Sequence, residues 1–303
     1  MIRYASNEDK LDIKKIWDSC FELNNKGYNE FFFNNLYRSK DTYIISNDKE
    51  IMSIGSRSKH VYMINNKPLK GSLIYGLATS KQYRNNGLMT KILTTMLDQI
   101  QYQELITFIQ SDKPELYKPF GFEPIYYKVK YTIEKNKNTI YDTSECRTKV
   151  SCNSLLSLYI EVMRRFNGYM IRDLHYYELY LQEIKEQKGD IIAVYDNGKI
   201  TGYMSIIKKG HEITIEECIY LNAKALVILL SFALKIGNTV YLTLTKYENV
   251  ETLFNYSNKE IYPDTLMRIN DYNLFNKLFQ LDIHNTKEAM DSFKKPLFIR
   301  EHI

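Results

Sequence analysis

A strand, a basic turn and a helix follow one another between Ser72 and Gln99, and this stretch constrains the fold more than any other. Residues 72–78 are mostly apolar, which is typical of a largely buried strand. After Gly87, apolar residues recur at spacings of three and four, which predicts a helix with one buried face. These residues are Leu88, Met89, Ile92, Leu93, Met96, Leu97 and Ile100. Such units are common in proteins that pack helices on a sheet.

The turn between strand and helix has the chemistry of an anion site. Residues 82–87, QYRNNG, supply polar side chains, one cation and a glycine that is free to adopt positive φ. The first N–H groups of a helix have no partners within it, and the helix dipole adds partial positive charge there. The turn therefore predicts a phosphate site, with an ordinary strand-to-helix connection as the alternative.

The charge around the turn favours the anion site. Between Ile51 and Leu97 the chain contains seven basic residues and neither Asp nor Glu. They are Arg57, Lys59, Lys67, Lys70, Lys81, Arg84 and Lys91. The whole chain has a net charge of only +5, so the excess of basic over acidic residues is concentrated in this segment. It would attract a multiply charged anion such as a nucleotide pyrophosphate, although a solvated surface would also tolerate it.

Composition narrows the class of protein. A chain of 303 residues favours two domains, and 44% hydrophobic with 25% charged residues is ordinary for a globular protein. The 26 tyrosines are not clustered into a base-stacking surface, so we expect no nucleic-acid partner. The longest apolar run, residues 225–234, is half of the roughly 20 residues that a membrane helix needs, and we expect no membrane partner.

Cysteine and histidine usage points to a reducing compartment without a metal site. The four cysteines and five histidines are scattered, with no Cys-x-x-Cys motif. This pattern predicts neither a disulfide framework nor bound metal. The polar start of the chain predicts no secretory signal, so we expect a cytoplasmic protein.

Periodicity and turn residues predict an element order for the first half: two helices, three antiparallel strands, a long helix, a strand, a short helix and a strand. This order resembles that of the GNAT superfamily of N-acetyltransferases, as do YRNNGLM at residues 83–89 and LYKPFGF at residues 116–122. The GNAT loop has Arg or Gln, two residues, Gly, one residue, then Gly or Ala. Here Met89 replaces the small residue, a departure that resembles the branch related to the enhanced intracellular survival (Eis) acetyltransferases.

The resemblance covers residues 1 to about 135 and implies acetyl-CoA as cosubstrate. The pyrophosphate would bind the loop, and the pantetheine arm would pair with the preceding strand. The cofactor-binding residues implied are Leu77, Ala78, Thr79, Gln82, Arg84, Asn85, Asn86, Gly87 and Leu88. An amine would attack the thioester directly, with a strand amide near Leu77 or Ala78 stabilising the oxyanion.

Two catalytic groups follow from the same resemblance. Tyr117 would donate a proton to the leaving thiolate; the alternative is a tyrosine that only packs at a helix end. In the Eis-like branch the terminal carboxylate acts as base, which here belongs to Ile303, with residues 297–299 docking the tail. An unanchored terminus is the alternative.

The first helices contain three acidic residues, Asp18, Glu22 and Glu30. They would either orient a cationic acceptor or be solvated surface charges.

The second half repeats the element order of the first, so we predict an α+β fold with tandem GNAT-like domains, each a mixed, mostly antiparallel sheet flanked by helices. The predicted domains are a catalytic domain at 1–135, a linker at 136–148, a degenerate domain at 149–262 and a tail at 263–303. Residues 220–223, YLNA, lack the loop's Gly and Arg, so we expect no second acetyl-CoA site. The tail would be a truncated sterol-carrier-like segment, which puts the branch's homo-oligomeric assembly in question.

The leading hypothesis is therefore an acetyl-CoA-dependent N-acetyltransferase with a small-molecule or peptide amine as acceptor. The alternative is a catalytically inactive acyl-CoA-binding or sensing protein of the same fold.

Overall fold

The computed structural model describes residues 2–21 and 26–299, which form two compact units. Unit 1 contains the described residues up to Tyr126, the short segment Gly168–Ile171 and the residues from Pro263 onward. Unit 2 contains Tyr127–Asn167 and Arg172–Tyr262. None of the described helices has the length and apolar character needed to cross a membrane.

The elements in chain order are β1 (Ile2–Tyr4), α1 (Lys10–Cys20), α2 (Lys26–Phe31), β2 (Thr42–Ser46), β3 (Ile51–Ile64), β4 (Lys67–Thr79), α3 (Leu88–Ile100), β5 (Ile106–Gln110), β6 (Glu123–Glu134), β7 (Cys146–Arg147), α4 (Cys152–Met163), β8 (Gly168–Met170), α5 (Leu174–Glu186), β9 (Asp190–Asp196), β10 (Lys199–Lys209), β11 (Glu212–Tyr220), α6 (Ala223–Ile236), β12 (Thr239–Thr245), β13 (Asn258–Ile269), α7 (Tyr272–Phe279) and α8 (Thr286–Asp291). A π-helical turn, Phe32–Leu36, continues α2.

Unit 1 is built on a mixed, mostly antiparallel sheet with the strand order β1-β2-β3-β4-β5-β13. Among the described strands of unit 1, only β4 and β5 run parallel. Successive residues of a strand face opposite sides of the sheet. Accordingly, Tyr43 and Ile45 pack with the apolar face of α3, whereas Ile44 packs with α1 and Phe32. The predicted α+β class, with helices on both faces of a mixed sheet, is confirmed.

The predicted buried face of α3 is confirmed. Ile92, Leu93, Met96, Leu97 and Ile100 are all buried, and Leu88 and Met89 pack at the edge of the same cluster. This packing fixes the start of α3 close to the end of β4.

Pairing between β4 and β5 ends at Ile74 and Ile109. Just beyond this point β4 carries a bulge, in which Gly76 and Leu77 stand opposite the single residue Gly55 of β3. A bulge bends and twists a strand locally. The bulged part of β4 thus has no strand on the side away from β3 among the described residues.

The C-terminal residues are an integral part of unit 1, which differs from the separate tail expected at 263–303. β13 pairs antiparallel with β5 from Thr265 opposite Gln110 to Ile269 opposite Ile106. The physical reason is that the free edge of β5 exposes backbone groups that need partners, and β13 supplies them. The described part of the tail is therefore the sixth strand of the first sheet, followed by α7 and α8.

Unit 2 has the strand order β6-β12-β11-β10-β9-β7 and repeats the helix and strand order of unit 1. The expected linker at 136–148 belongs to this unit, where β7 pairs with β9. α6 begins at Asn222, whose side chain accepts a hydrogen bond from the N–H of Ala225. An amide of the first turn is thus already bonded, unlike the start of α3 described below.

A buried ion pair lies in the core of unit 2. The Arg172 guanidinium donates to both carboxylate oxygens of Glu217 at 2.8 and 3.2 Å, and both side chains are inaccessible to solvent. The rings of Tyr159 and Tyr176 each lie 4.4 Å from the guanidinium carbon. Tyr203 donates a further hydrogen bond to Glu217. These contacts replace the interactions with water that both charged groups lose on burial.

We expect Gly76→Ala to destabilise unit 1 more than Gly87→Ala. Both glycines have positive φ, 62° and 68°, so an alanine costs about 1–2 kcal/mol at either position. At Gly76 the new Cβ would also lie 2.3 Å from Cζ3 of Trp17, whereas it meets nothing within 4 Å at Gly87. The clash adds about 1–3 kcal/mol.

Urea unfolding followed by circular dichroism measures the difference between the two variants. Adding Trp17→Leu to Gly76→Ala should recover part of the extra loss. Equal losses for the two alanine variants would contradict this account of the bulge.

Candidate active site

The turn before α3 presents a row of free backbone N–H groups. Asn85 and Gly87 both have left-handed backbone conformations, with φ of 64° and 68°, and Gly87 is the N-cap of α3. Within the described part of the chain, the N–H groups from Asn85 to Met89 have no hydrogen-bond acceptor. A Cβ on Gly87 would meet nothing within 4 Å, so the approach to these amides is open. The turn fits a phosphate group.

The side chains of the turn are largely engaged within the protein. Gln82 Nε2 and the Tyr83 hydroxyl both donate to Glu50 Oε1, at 2.9 and 2.7 Å. Asn86 Nδ2 donates to the carbonyls of Tyr83 and Arg84, both at 3.2 Å. The turn is therefore held in shape by its side chains and offers mainly its backbone to a ligand.

Arg84 points back towards the end of β4. Its Nε donates to the Thr79 carbonyl at 3.1 Å, and its Nη2 lies 3.5 Å from Sγ of Cys20. The guanidinium is exposed to solvent at this position. The positive charge is thus placed between the turn and the last residues of β4.

The end of β4 is the second part of the site, because among the described residues it has no strand partner on one side beyond Ile74. Leu77 and Thr79 are half-buried although they lie on an interior strand, whereas Ala78 is buried. Ser53 Oγ of β3 donates to the Ala78 carbonyl at 3.0 Å and lies 2.8 Å from Thr79 Oγ1. The strand end is fixed on its β3 side, and its other edge is accessible.

Tyr117 lies between two 3₁₀ turns that follow β5, Pro114–Leu116 and Lys118–Phe120. Its ring packs edge-on against Phe122, with centroids 6.4 Å apart. Burial raises the pKa of Tyr117 above its ordinary value, a hydrogen bond with Ser111 opposes this rise, and the nearby charge of Asp112 adds to it. The phenol therefore keeps its proton at neutral pH.

The last described residues of the chain lie near the segment that carries Tyr117. Leu297, Phe298 and Ile299 are buried, and the Phe298 N–H donates to the Gly168 carbonyl at 2.7 Å. Thr265 Oγ1 donates to the Ile299 carbonyl at 3.2 Å.

β13 connects this docked tail to the Tyr117 segment. Thr265 pairs with Gln110 at the end of β5, and the Ser111 N–H donates to the Asp264 carbonyl at 2.8 Å. Ile303 lies outside the described residues. The four residues beyond Ile299 span at most about 14 Å when extended.

The acidic residues of the first helices are partly neutralised. Lys14 Nζ contacts Asp18 Oδ2 at 2.8 Å and Glu30 Oε1 at 3.2 Å, and Asn29 donates to the other oxygen of Asp18 at 3.0 Å. Glu22 lies outside the described residues. In the described part of the chain, no three His, Cys, Asp or Glu side chains are grouped as metal ligands would be.

The N-terminal part of the chain matches a known family at this site. Residues 1–125 match the acetyltransferase (GNAT) domain. The match includes the loop before α3 and the segment that carries Tyr117. No curated protein matches the chain in sequence.

Solved structures with the GNAT fold resemble most of the chain. A probable N-acyltransferase from Enterococcus faecalis V583 superposes with a TM-score of 0.73 at 17% identity, covering 89% of this chain and 72% of that one. Eis1 from Mycobacterium abscessus gives a TM-score of 0.66 at 12% identity, covering 89% and 74%. Saccharomyces cerevisiae N-myristoyltransferase with bound myristoyl-CoA gives 0.60 at 10% identity, covering 89% and 82%. These likenesses show the GNAT fold.

The structure brings most of the predicted site residues into one region and adds others. Leu77, Ala78 and Thr79 adjoin the turn through Arg84, and Tyr117 follows β5, the parallel neighbour of β4. Sequence reasoning missed Ser53, which fixes the end of β4, and Trp17, which lies on Gly76. Nothing in the local pattern around Ser53 marks it, because its role depends on cross-strand pairing.

Proposed function

We propose that this protein is an acetyl-CoA-dependent N-acetyltransferase that acts on a primary amine. The observation that carries the proposal is the adjacency of the free amides in the turn before α3 and the edge of β4 that has no strand partner beyond Ile74. A CoA thioester carries a pyrophosphate followed by a pantetheine arm that contains amides. One such molecule can therefore bind both the turn before α3 and the edge of β4.

In this proposal the free amides of Asn85–Leu88 bind the pyrophosphate, and the helix dipole adds to the attraction. The Arg84 N–H, which was expected to join them, donates to the Lys81 carbonyl at 3.4 Å, so Arg84 contributes its positive charge. The edge of Leu77–Thr79 pairs with the pantetheine amides. Gln82 contributes by holding the turn through Glu50, since its side chain amide is already engaged there. The amide of Leu77 or Ala78 stabilises the oxyanion that forms on the thioester carbonyl.

The reaction exchanges one acyl bond for another. The amine nitrogen forms a bond to the carbonyl carbon while the carbon–sulfur bond breaks, the surplus amine proton passes to a base, and the thiolate takes a proton or a hydrogen bond from Tyr117. A tyrosine with a pKa above 10 transfers a proton to a thiolate of pKa about 8.5 only uphill. The raised pKa of Tyr117 therefore favours hydrogen bonding in the transition state over complete transfer.

The fold alone does not identify the acyl group of the donor, because one structure of similar fold is a myristoyltransferase with myristoyl-CoA bound. We assign acetyl to this chain from the match of residues 1–125 to the acetyltransferase domain. The acceptor is a small-molecule or peptide amine.

We expect Tyr117→Phe to lower kcat by about 100-fold, the scale of a lost proton donor, while the Kd for acetyl-CoA stays unchanged. Thiol release with acetyl-CoA and a panel of aminoglycoside, polyamine and lysine-peptide acceptors measures the rate. Thermal shift and calorimetry measure binding. Tyr102→Phe is the matched control, because Tyr102 is 87% exposed in the same unit. Because burial raises the pKa of Tyr117, its ionisation should lower the rate only at a pH above that at which an ordinary tyrosine ionises.

The outcomes separate the enzyme from its alternative. Binding of acetyl-CoA without thiol release for any amine would favour a sensing protein. Full turnover by Tyr117→Phe would remove this residue from the mechanism, and the absence of acetyl-CoA binding would overturn the proposed function.

The carboxylate of Ile303 is proposed as the base. Removing residues 300–303 should lower kcat/KM for the amine without changing the Kd for acetyl-CoA. Adding two glycines after Ile303 keeps the residues but displaces the carboxylate, and it should lower kcat/KM as well. The measurement is thiol release at saturating acetyl-CoA. Unchanged activity of the extended variant would contradict the role of the carboxylate.

A further inference from the structure

Trp17 of α1 lies directly on the bulge of β4. A Cβ built on Gly76 would meet Cζ3 of Trp17 at 2.3 Å and Cη2 at 3.1 Å, so the benzene edge of the indole contacts the backbone at Gly76. Only 6% of Trp17 is exposed. The ring covers the point at which β4 and β5 part.

Four further rings hold Trp17 in place. Phe32, which is fully buried, stacks on the indole with centroids 4.6 Å apart and an angle of 17° between the planes. Phe21 and Phe33 lie at 4.8 and 5.8 Å, and Tyr75 of β4 contacts the indole edge-on at 6.3 Å. We call Trp17, its stacked partner Phe32 and the β4 ring Tyr75 the aromatic wall. A large indole held by four rings has little freedom to turn aside.

The opposite face of the sheet is closed at the same level. A Cβ on Gly55, the residue opposite the bulge, would lie 2.7 Å from Cγ2 of Ile92 and 2.8 Å from Cδ2 of Leu77. The apolar face of α3 therefore fills this side. A group that extends from the open edge of β4 has only the face of the aromatic wall on which to lie.

We propose that the aromatic wall limits the donor to short acyl groups, of two or three carbons, by occupying the space that a longer chain would need. This rests on the proposed function, because it places the thioester at the edge of Leu77–Thr79. Trp17 is then a residue that determines donor specificity. A longer chain must displace the indole from Gly76, which loses the stacking on Phe32 as well.

The experiment compares acetyl-, butyryl- and octanoyl-CoA as donors to one amine. For the wild-type protein, kcat/KM for octanoyl-CoA should be lower than for acetyl-CoA by about 100-fold or more, since each excess methylene in a closed pocket costs about tenfold or more. Trp17→Leu should reduce this ratio to below about tenfold, mainly by raising the rate with octanoyl-CoA. Phe275→Leu is the matched control. Phe275 is a fully buried ring of α7 in the same unit that packs against Phe279 with centroids 4.5 Å apart, and its variant should keep the wild-type ratio.

Binding gives a second readout that does not depend on turnover. Trp17 is the only tryptophan of the chain, so its fluorescence reports on the bulge directly. Acetyl-CoA should change the emission more than CoA without an acyl group.

The possible results are distinguishable. Equal use of acetyl- and octanoyl-CoA by the wild-type protein would overturn the inference and leave the proposed function standing, as would a Trp17→Leu variant with the wild-type ratio. If Trp17→Leu does not fold, the donor series of the wild-type protein still tests whether the site limits the donor to short acyl groups. If no acyl-CoA binds or reacts, the proposed function fails and the inference fails with it.

Discussion

The parting of β4 from β5 after Ile74 is the feature on which the rest of the site depends. Parallel strands normally continue their hydrogen bonds, and an unpaired backbone group away from water is costly. Here the bulge at Gly76 turns β4 out of register, and the ring of Trp17 occupies the place of the missing side chain. The edge that results has no strand partner among the described residues, and it is open to a ligand that is itself rich in amides.

The second unit has a similar parting of parallel strands, but its surroundings differ. Pairing of β11 with β12 ends at Ile215 opposite Leu242, and β11 then carries a bulge, since Ser205 pairs with Glu217 and Ile206 with Ile215. Beside that bulge, Glu217 binds Arg172 in a core that is closed to solvent. The following helix starts with the side chain of Asn222 bonded to its first turn. We therefore expect unit 2 not to bind a second acyl-CoA.

Local pattern was sufficient to predict the elements that form the candidate site. The spacing of apolar residues from Leu88 to Ile100 predicts α3, and Gly87 marks its start, because both signals depend only on neighbours in the chain. Residues that act through distant contacts were not predictable. β13 joins β5 although some 150 residues separate the two strands, and Trp17 meets Gly76 across two layers of the fold. Ile303 stays a prediction from resemblance.

Hydrogen exchange of the backbone amides, with and without CoA, tests the central claim most directly. We predict that acetyl-CoA slows exchange in two segments, residues 84–90 and 75–79, and leaves unit 2 unchanged. Adenosine 3′-phosphate 5′-diphosphate, which keeps the pyrophosphate of CoA but lacks the pantetheine arm, should slow only the first segment. Slowed exchange confined to other parts of the chain, or equal protection of both segments by this nucleotide, would contradict the assignment of the turn to the pyrophosphate and of β4 to the pantetheine arm.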